Sequence, residues 1–543
     1  MRVDRKRALF LALSLTFFYF FLLGRHGLLE PDEGRYSEIP REMRVTGDYV
    51  TPRLNGVAYF EKPVLHYWLT ASAQALFGEN EFSGRFWPAL LALAGAGATG
   101  LLGRRLYGTR CGFLAAFVLA TSLLHFAVGQ INITDMALSF FVTVALVAFK
   151  FAEEGSRGLL LIFYAAMALA TLTKGLIGIV LPGTVLFWYI VLTRRWRLIG
   201  RALYLPGLVL FFALVLPWFI AVCRVNPDFF HFFFIQEHFL RYTTQMHERY
   251  EPFWFFFPIL LVGLFPWAGF LPRALGRLLP GRKKQAGADE LYLLLWASLI
   301  LLFFSFSSSK LVPYIVPVLP PLAIAIAREL DEALTGSGLT RLSLTASTLF
   351  SGLLGLAFLV YPFLERENYP LSLTLPAGLA VAFPTLAGLA AAWLFHRRRK
   401  PTKAVAALCL MGLFLLPAYR GLFLFYGHIK SPRPLAQAIA AHLEEDDIVA
   451  QFGTYEQALP FYLKRTNVVI GYRGELDYGV RRDSPSWFLD AEGLLPLLEG
   501  EKRVFLVIKR RAFEEFGDDL AGLFTLAEWD NTLVVVNRPL EVN

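Results

Sequence analysis

The chain has 543 residues, of which 56% are hydrophobic and only 17% charged, with a formal net charge of +9. An ordinary soluble domain is about 45–50% apolar and about 25% charged. Much of the apolar surface must therefore face lipid, which excludes a soluble enzyme, a disordered regulator and a secreted disulfide scaffold. Cys111, Cys223 and Cys409 lie isolated near predicted span ends and imply neither a disulfide framework nor a cysteine zinc site.

A membrane span needs roughly 20 apolar residues, because the bilayer core is about 30 Å thick and a helix rises about 1.5 Å per residue. Thirteen segments qualify: about 8–24, 86–103, 111–129, 136–151, 158–173, 175–193, 203–223, 253–272, 290–306, 311–327, 343–362, 373–395 and 404–425. Lys and Arg gather in alternate loops, at Arg2/Arg5/Lys6/Arg7, Arg104/Arg105/Arg110, Arg194/Arg195/Arg197/Arg201, Arg282/Lys283/Lys284 and Arg397/Arg398/Arg399/Lys400. The positive-inside rule makes these loops cytoplasmic, with the N-terminus inside and the C-terminus outside. Topology thus accounts for the basic balance, and no nucleic-acid partner is expected. The first span has the look of a signal peptide, but Arg25 and His26 follow it in place of a small-residue cleavage site, so it reads as an uncleaved anchor.

Two outer segments are long. Residues 25–85 are polar at first and amphipathic around Val64–Phe77, as for interfacial helices. Residues 224–252 set Phe229, Phe230, Phe232, Phe233 and Phe234 beside Glu237, His238, Arg241 and Tyr242, and also read as an interfacial helix. Beyond about residue 430 the composition becomes that of a soluble protein. Ser431-Pro432 opens a helix, and Ile448–Phe452, Val468–Ile470, Val504–Ile508 and Leu533–Val536 read as strands. The expected architecture is an α-helical polytopic membrane domain over 1–430 and a periplasmic α/β domain over 431–543.

Gly95-Ala96-Gly97-Ala98-Thr99-Gly100 matches the dinucleotide fingerprint, which has meaning only between a strand and a helix. Here it lies inside a span, where small residues let helices approach closely, and it is read as packing. Asn132-Ile133-Thr134 matches a glycosylation sequon but sits in a very short loop against the membrane.

The ionisable residues near the helix mouths are more informative. Asp32, Glu33 and Arg35 lie just beyond the first span, and Glu61-Lys62-Pro63 closes the same loop. Asp135, Lys174 and Lys310 sit at the outer ends of later spans, and Tyr314 follows Lys310 by four residues. Charges at membrane depth are costly and are functional candidates by default. Transfer from a phosphate-linked lipid suits this set. A phosphate leaving group needs cations and donors aimed at its developing charge, for which Lys62, Arg241, Lys310 and Tyr314 are suitable. An attacking hydroxyl needs a base, for which Asp32 or Asp135 could serve. Glu61, Glu237 and His238 are of the types that ligate a divalent metal ion, although no tight ligand spacing exists.

The first-loop runs Pro31-Asp32-Glu33-Gly34-Arg35-Tyr36, Thr51-Pro52-Arg53-Leu54-Asn55-Gly56 and Tyr59-Phe60-Glu61-Lys62-Pro63 resemble the bacterial aminoarabinose transferases of lipid A. Those are membrane-embedded GT-C glycosyltransferases, with more distant kinship to protein O-mannosyltransferases. Thr134-Asp135-Met136, Thr173-Lys174-Gly175 and Ser309-Lys310-Leu311-Val312-Pro313-Tyr314 are similar to later motifs of the family. The resemblance spans roughly residues 8–425 in layout. It implies the GT-C fold, thirteen spans, an outer soluble domain and a polyprenyl-phosphate sugar donor. It also implies an essential first-loop aspartate, here Asp32, and a second important carboxylate, Asp135. Glu33 is taken as a further catalytic candidate beside Asp32. The resemblance places Lys62, Lys310 and Tyr314 on the donor phosphate and carries over Arg241 and the metal pair Glu61/His238 as well. Val64 and His66 depart from the family pattern, which often shows a second proline and an aromatic there.

The resulting expectation is a multi-pass inner-membrane enzyme that inverts the anomeric carbon. It moves aminoarabinose or a related sugar from the polyprenyl-phosphate donor to lipid A or another envelope glycan on the periplasmic face. The competing readings are a protein O-glycosyltransferase and a lipid or sugar transporter. Transporter sites lie near the midplane on broken helices, whereas these residues cluster at one face.

Overall fold

The computed structural model describes residues 5–240, 251–279, 287–365, 369–520 and 522–539. The chain forms two compact units. One holds residues 1–23, 86–130 and 134–425; the other holds 24–85, 131–133 and 426–543.

The first unit is helical. Among the described residues, nine helices are long and apolar enough to cross a membrane, or ten if the pair Phe253–Gly263 and Ala268–Leu278, bent by 110°, is one span. Three further segments expected to span are shorter apolar helices, Leu9–Phe20, Thr109–Thr121 and Ile177–Thr193. The expected continuous helix over 111–129 breaks at Ser122, whose extended backbone separates Thr109–Thr121 from Leu123–Val128. Hydropathy counts apolar residues and does not see such a break. The glycine run sits well inside the helix Glu81–Tyr107; a Cβ on Gly97 would meet nothing within 4 Å, and the close contact is at Gly100. A Cβ on Gly100 would meet the Gly112 carbonyl oxygen at 2.9 Å, and one on Gly112 would meet the Gly100 oxygen at 2.5 Å. These two helices approach backbone to backbone, so glycine is required at both positions.

In the second unit, residues 448–536 build a six-stranded sheet. A short antiparallel hairpin precedes it, β1 (Arg53–Leu54) and β2 (Val57–Ala58). The sheet strands are β3 (Ile448–Phe452), β4 (Val468–Ile470), β5 (Phe488–Leu489), β6 (Val504–Lys509), β7 (Phe524–Trp529) and β8 (Thr532–Val536). Their order is β5-β4-β3-β6-β8-β7. Pairing is parallel from β5 through β6, and antiparallel between β6 and β8 and between β8 and β7. Successive side chains of a strand point to opposite faces. Val449, Phe505, Val507, Val534 and Val536 therefore build one core, and Ala450, Leu506, Ile508, Leu533 and Val535 the other.

The first outer loop is helical at its polar start as well as at Leu65–Phe77. Asp32–Thr46 is a helix with two acidic residues in its first turn, favourable at the positive end of the helix dipole, and it ends on Gly47 in the left-handed conformation. Its residues Glu33 to Met43 are all buried, charged ones included. It packs against the helix Ala458–Leu463 of the C-terminal segment. Each buried charge then needs a partner. Arg41 donates to both oxygens of Glu38, at 2.6 Å each. Glu42 accepts the backbone N–H of Gly56 at the turn between β1 and β2.

Burial, reinforced by the nearby charge of Glu38, pushes the Glu42 carboxyl from its ordinary 4.5 up to about 8. A raised folded value means that this group's contribution is fully present below about 4.5. It is lost as pH rises through about 8. The melting temperature of the purified protein should therefore fall by several degrees between pH 6 and pH 9, and Glu42→Gln should flatten that slope. A slope unchanged in the variant would show that Glu42 is not its source.

Candidate active site

The second unit carries the first-loop residues. Asp32 opens its helix, and Arg35, one turn on, reaches back to it at 2.5 Å. The Arg35 guanidinium is buried, donates to the Tyr59 hydroxyl at 2.6 Å, and also pairs with Glu475. Asp32 itself stays open, its side chain 48% exposed against 4% for Arg35. The result is a carboxylate held in place on one side and accessible on the other.

Glu33, expected as a further catalytic carboxylate, has a different place. Arg85 donates to both of its oxygens, at 2.8 and 2.6 Å. The backbone N–H groups of Leu29 and Asn132 donate to them as well. The pair is dry, with side-chain exposures of 2% for Glu33 and 0% for Arg85. Arg85 also donates to the carbonyls of His26 and Gly27. Burial raises the Glu33 carboxyl, but the charge and hydrogen bonds of Arg85 outweigh it and hold the group below its ordinary value. Both of its oxygens are thus engaged, and unlike Asp32 its side chain has almost no solvent access. Adjacent residues on a helix face different directions, which is why a contiguous motif hides this division of labour.

Glu61 and Lys62 lie at 3.6 Å, with Lys62 Nζ also donating to the Glu61 carbonyl at 3.0 Å. Among the described residues no group of three His, Cys, Asp or Glu could hold a metal ion. His238 falls in the helix His231–Leu240, but its side chain, like Arg241, lies outside the described residues. His66, where the family pattern departs, is buried and hydrogen-bonded to Asn132 at 2.9 Å. Burial pushes its imidazole down to about 4, so it is neutral and structural.

The first unit carries the other set. Asp135 starts the helix Thr134–Ala152 and Lys174 ends Arg157–Lys174, and these two helices pack along each other. Their side chains meet at 2.6 Å, both about nine-tenths buried. Lys174 Nζ also sits 4.3 Å from the centroid of the Tyr314 ring, over its negative face. Lys310 is buried and donates to the Glu251 carbonyl at 2.6 Å.

Asp135, Lys174 and Tyr314 thus form one cluster. Lys174 was legible as a charge at membrane depth, but nothing in sequence joined it to a residue 39 positions away. Arg35 had a local signal, its three-residue spacing from Asp32 within one helix. Arg85 and Glu475 had none.

A family model described as dolichyl-phosphate-mannose-protein mannosyltransferase matches residues 61–220, and one described as the aminoarabinose transferase C-terminal domain matches residues 435–538. A protein of Edwardsiella ictaluri named undecaprenyl phosphate-α-4-amino-4-deoxy-L-arabinose arabinosyl transferase is 33% identical over 486 residues, covering 87% of each chain. A Pseudomonas aeruginosa protein of the same name is 35% identical over 498 residues, covering 87% of this chain and 86% of its own. The crystal structure of ArnT from Cupriavidus metallidurans bound to undecaprenyl phosphate superposes with a TM-score of 0.86 at 31% identity, over 98% of this chain and 97% of that one. The oligosaccharyltransferase of Archaeoglobus fulgidus, at 13% identity and a TM-score of 0.50, shares the fold.

Proposed function

Because the chain belongs to the family of undecaprenyl phosphate-α-4-amino-4-deoxy-L-arabinose arabinosyl transferases, and is a multi-pass membrane glycosyltransferase of GT-C type, we propose that it transfers that aminosugar from undecaprenyl phosphate to lipid A. The observation that carries the reading is Asp32, a carboxylate steered by a buried guanidinium and open to a substrate on its other side. The reaction displaces the lipid phosphate from the anomeric carbon in line, with inversion and no covalent enzyme intermediate. If a sugar hydroxyl attacks, Asp32 takes its proton. If a lipid A phosphate attacks, the nucleophile is already anionic, and Asp32 orients the sugar or its cation.

Lys62, Lys310 and Tyr314 are assigned to the donor phosphate, whose charge grows as the bond breaks. Lys174, paired with Asp135, lies against the face of the Tyr314 ring and holds it. Arg241 is assigned to the same phosphate from the family resemblance alone, and Glu61 and His238 are the residues that resemblance offers to a divalent ion. The basic loops support an inner-membrane enzyme with its N-terminus in the cytoplasm and the C-terminal sheet in the periplasm.

Mass spectrometry of envelope lipids and proteins, from cells with and without the gene, tests the reading. Lipid A carrying one added aminoarabinose should appear only with the gene. The same sugar on protein would favour the O-glycosyltransferase reading instead.

A further inference from the structure

The antiparallel helices Leu371–Arg397 and Pro401–Lys430 flank a groove of about 790 Å³. Its walls are apolar, with Leu379, Phe383 and Phe395 from one helix and Leu410, Met411 and Phe414 from the other. Lys403 is the one charged residue in its lining. The Lys403 ammonium lies 5.9 Å from the Phe395 ring centroid, at the same end of the groove as the turn joining the two helices. That turn holds Arg397, Arg398, Arg399 and Lys400, all exposed. None of these five cations forms an ion pair with a described residue. A second groove of about 590 Å³, along Leu205–Ile220, has no charged lining residue at all.

An apolar groove alone takes any lipid chain, and a basic turn alone takes any anion. The two in line match a molecule that is apolar along its length and negative at one end. We propose that this groove is a binding site for an anionic phospholipid of the bilayer, with an acyl chain between the two helices and the headgroup phosphate on Lys403 and the arginines of the turn. Guanidinium groups suit phosphate through paired N–H donors, and basic pockets between membrane helices favour anionic headgroups. The four successive basic residues at the turn exceed what one lipid needs, so Lys403, which faces the groove, is the discriminating contact. The site lies within the first unit and involves none of the residues assigned to the transfer reaction.

The full chain, purified in detergent and stripped of lipid, can be titrated with dioleoyl phosphatidylglycerol and with dioleoyl phosphatidylcholine under native mass spectrometry. Phosphatidylglycerol should be retained about tenfold better. Arg399→Gln/Lys403→Gln should bring the two lipids level. Ala387→Phe, which fills the groove and leaves every charge in place, should weaken retention of both. Equal retention by the unmodified protein would overturn the proposal, as would a preference that survives both variants. Displacement by glycerol phosphate would reassign the anion site to the bare turn, and displacement by undecaprenyl phosphate would reassign the groove to the donor; either overturns it. Should the charge variant fail to fold, Ala387→Phe decides alone.

Discussion

Asp32→Asn should lose sugar transfer by about a hundredfold or more while the protein keeps its melting temperature. The substitution preserves shape and the hydrogen bond from Arg35 and removes only the charge and the ability to take a proton. Positioned general acid–base groups contribute roughly 10²–10⁴ in rate. Stability should be spared, because the side chain is 48% exposed and its ion pair with Arg35 is in partial contact with water. Arg35 also keeps its bonds to Tyr59 and Glu475. The measurement is transfer from a polyprenyl-phosphate aminoarabinose donor by the purified variant, beside its thermal unfolding. Near-normal transfer would remove Asp32 from the reaction and move attention to Asp135.

Arg85→Ala should do the reverse. It leaves Glu33 as an unpaired carboxylate in a site where the pair is 0% and 2% exposed. Removing one partner of a buried ion pair costs about 3–5 kcal/mol. The carbonyls of His26 and Gly27 lose their donors too. For a unit of this size the melting temperature should drop by about 10 °C. The double variant Arg85→Met/Glu33→Gln should recover part of that loss, because it removes the stranded charge. Simple additivity of the two single changes would show that the pair is not coupled. The lowered value of the Glu33 carboxyl sets the pH window. The stability it supplies is present above its ordinary 4.5 and is lost as pH falls through the lower folded value. Arg85→Ala should weaken this acid sensitivity.

The contrast between Asp32 and Glu33 shows how far the first loop could be read from residues alone. The motif pointed to this segment as a candidate site and ranked Asp32 first, since family likeness follows the order of residues along the chain. It could not separate two adjacent carboxylates. That separation depends on packing against residues distant in sequence: Arg85 pairs with Glu33, whereas Asp32 is paired with Arg35, which itself reaches Glu475. Polarity alone also does not locate the charges of this segment in the fold. Glu33, Glu38, Arg41 and Glu42 are all buried, and each meets an opposite charge or a backbone donor inside the unit.

What sequence by itself determined is the part governed by composition and period. Excess apolar content requires lipid. Runs of about 20 apolar residues locate the helices of the membrane domain. The change in composition after residue 430 marks the C-terminal α/β segment, and short apolar runs mark four of its six strands. These signals are local, and the hydrophobic effect acts on them wherever they pack. Tertiary structure alone decided the rest. It broke the helix at Ser122 and bent 253–278 by 110°, because a backbone turn leaves no trace in hydropathy. It placed residues 24–85 in one compact unit with 426–543, across some 340 intervening residues. And it joined Asp135, Lys174 and Tyr314, because a buried charge is tolerated only where the fold brings its partner within reach.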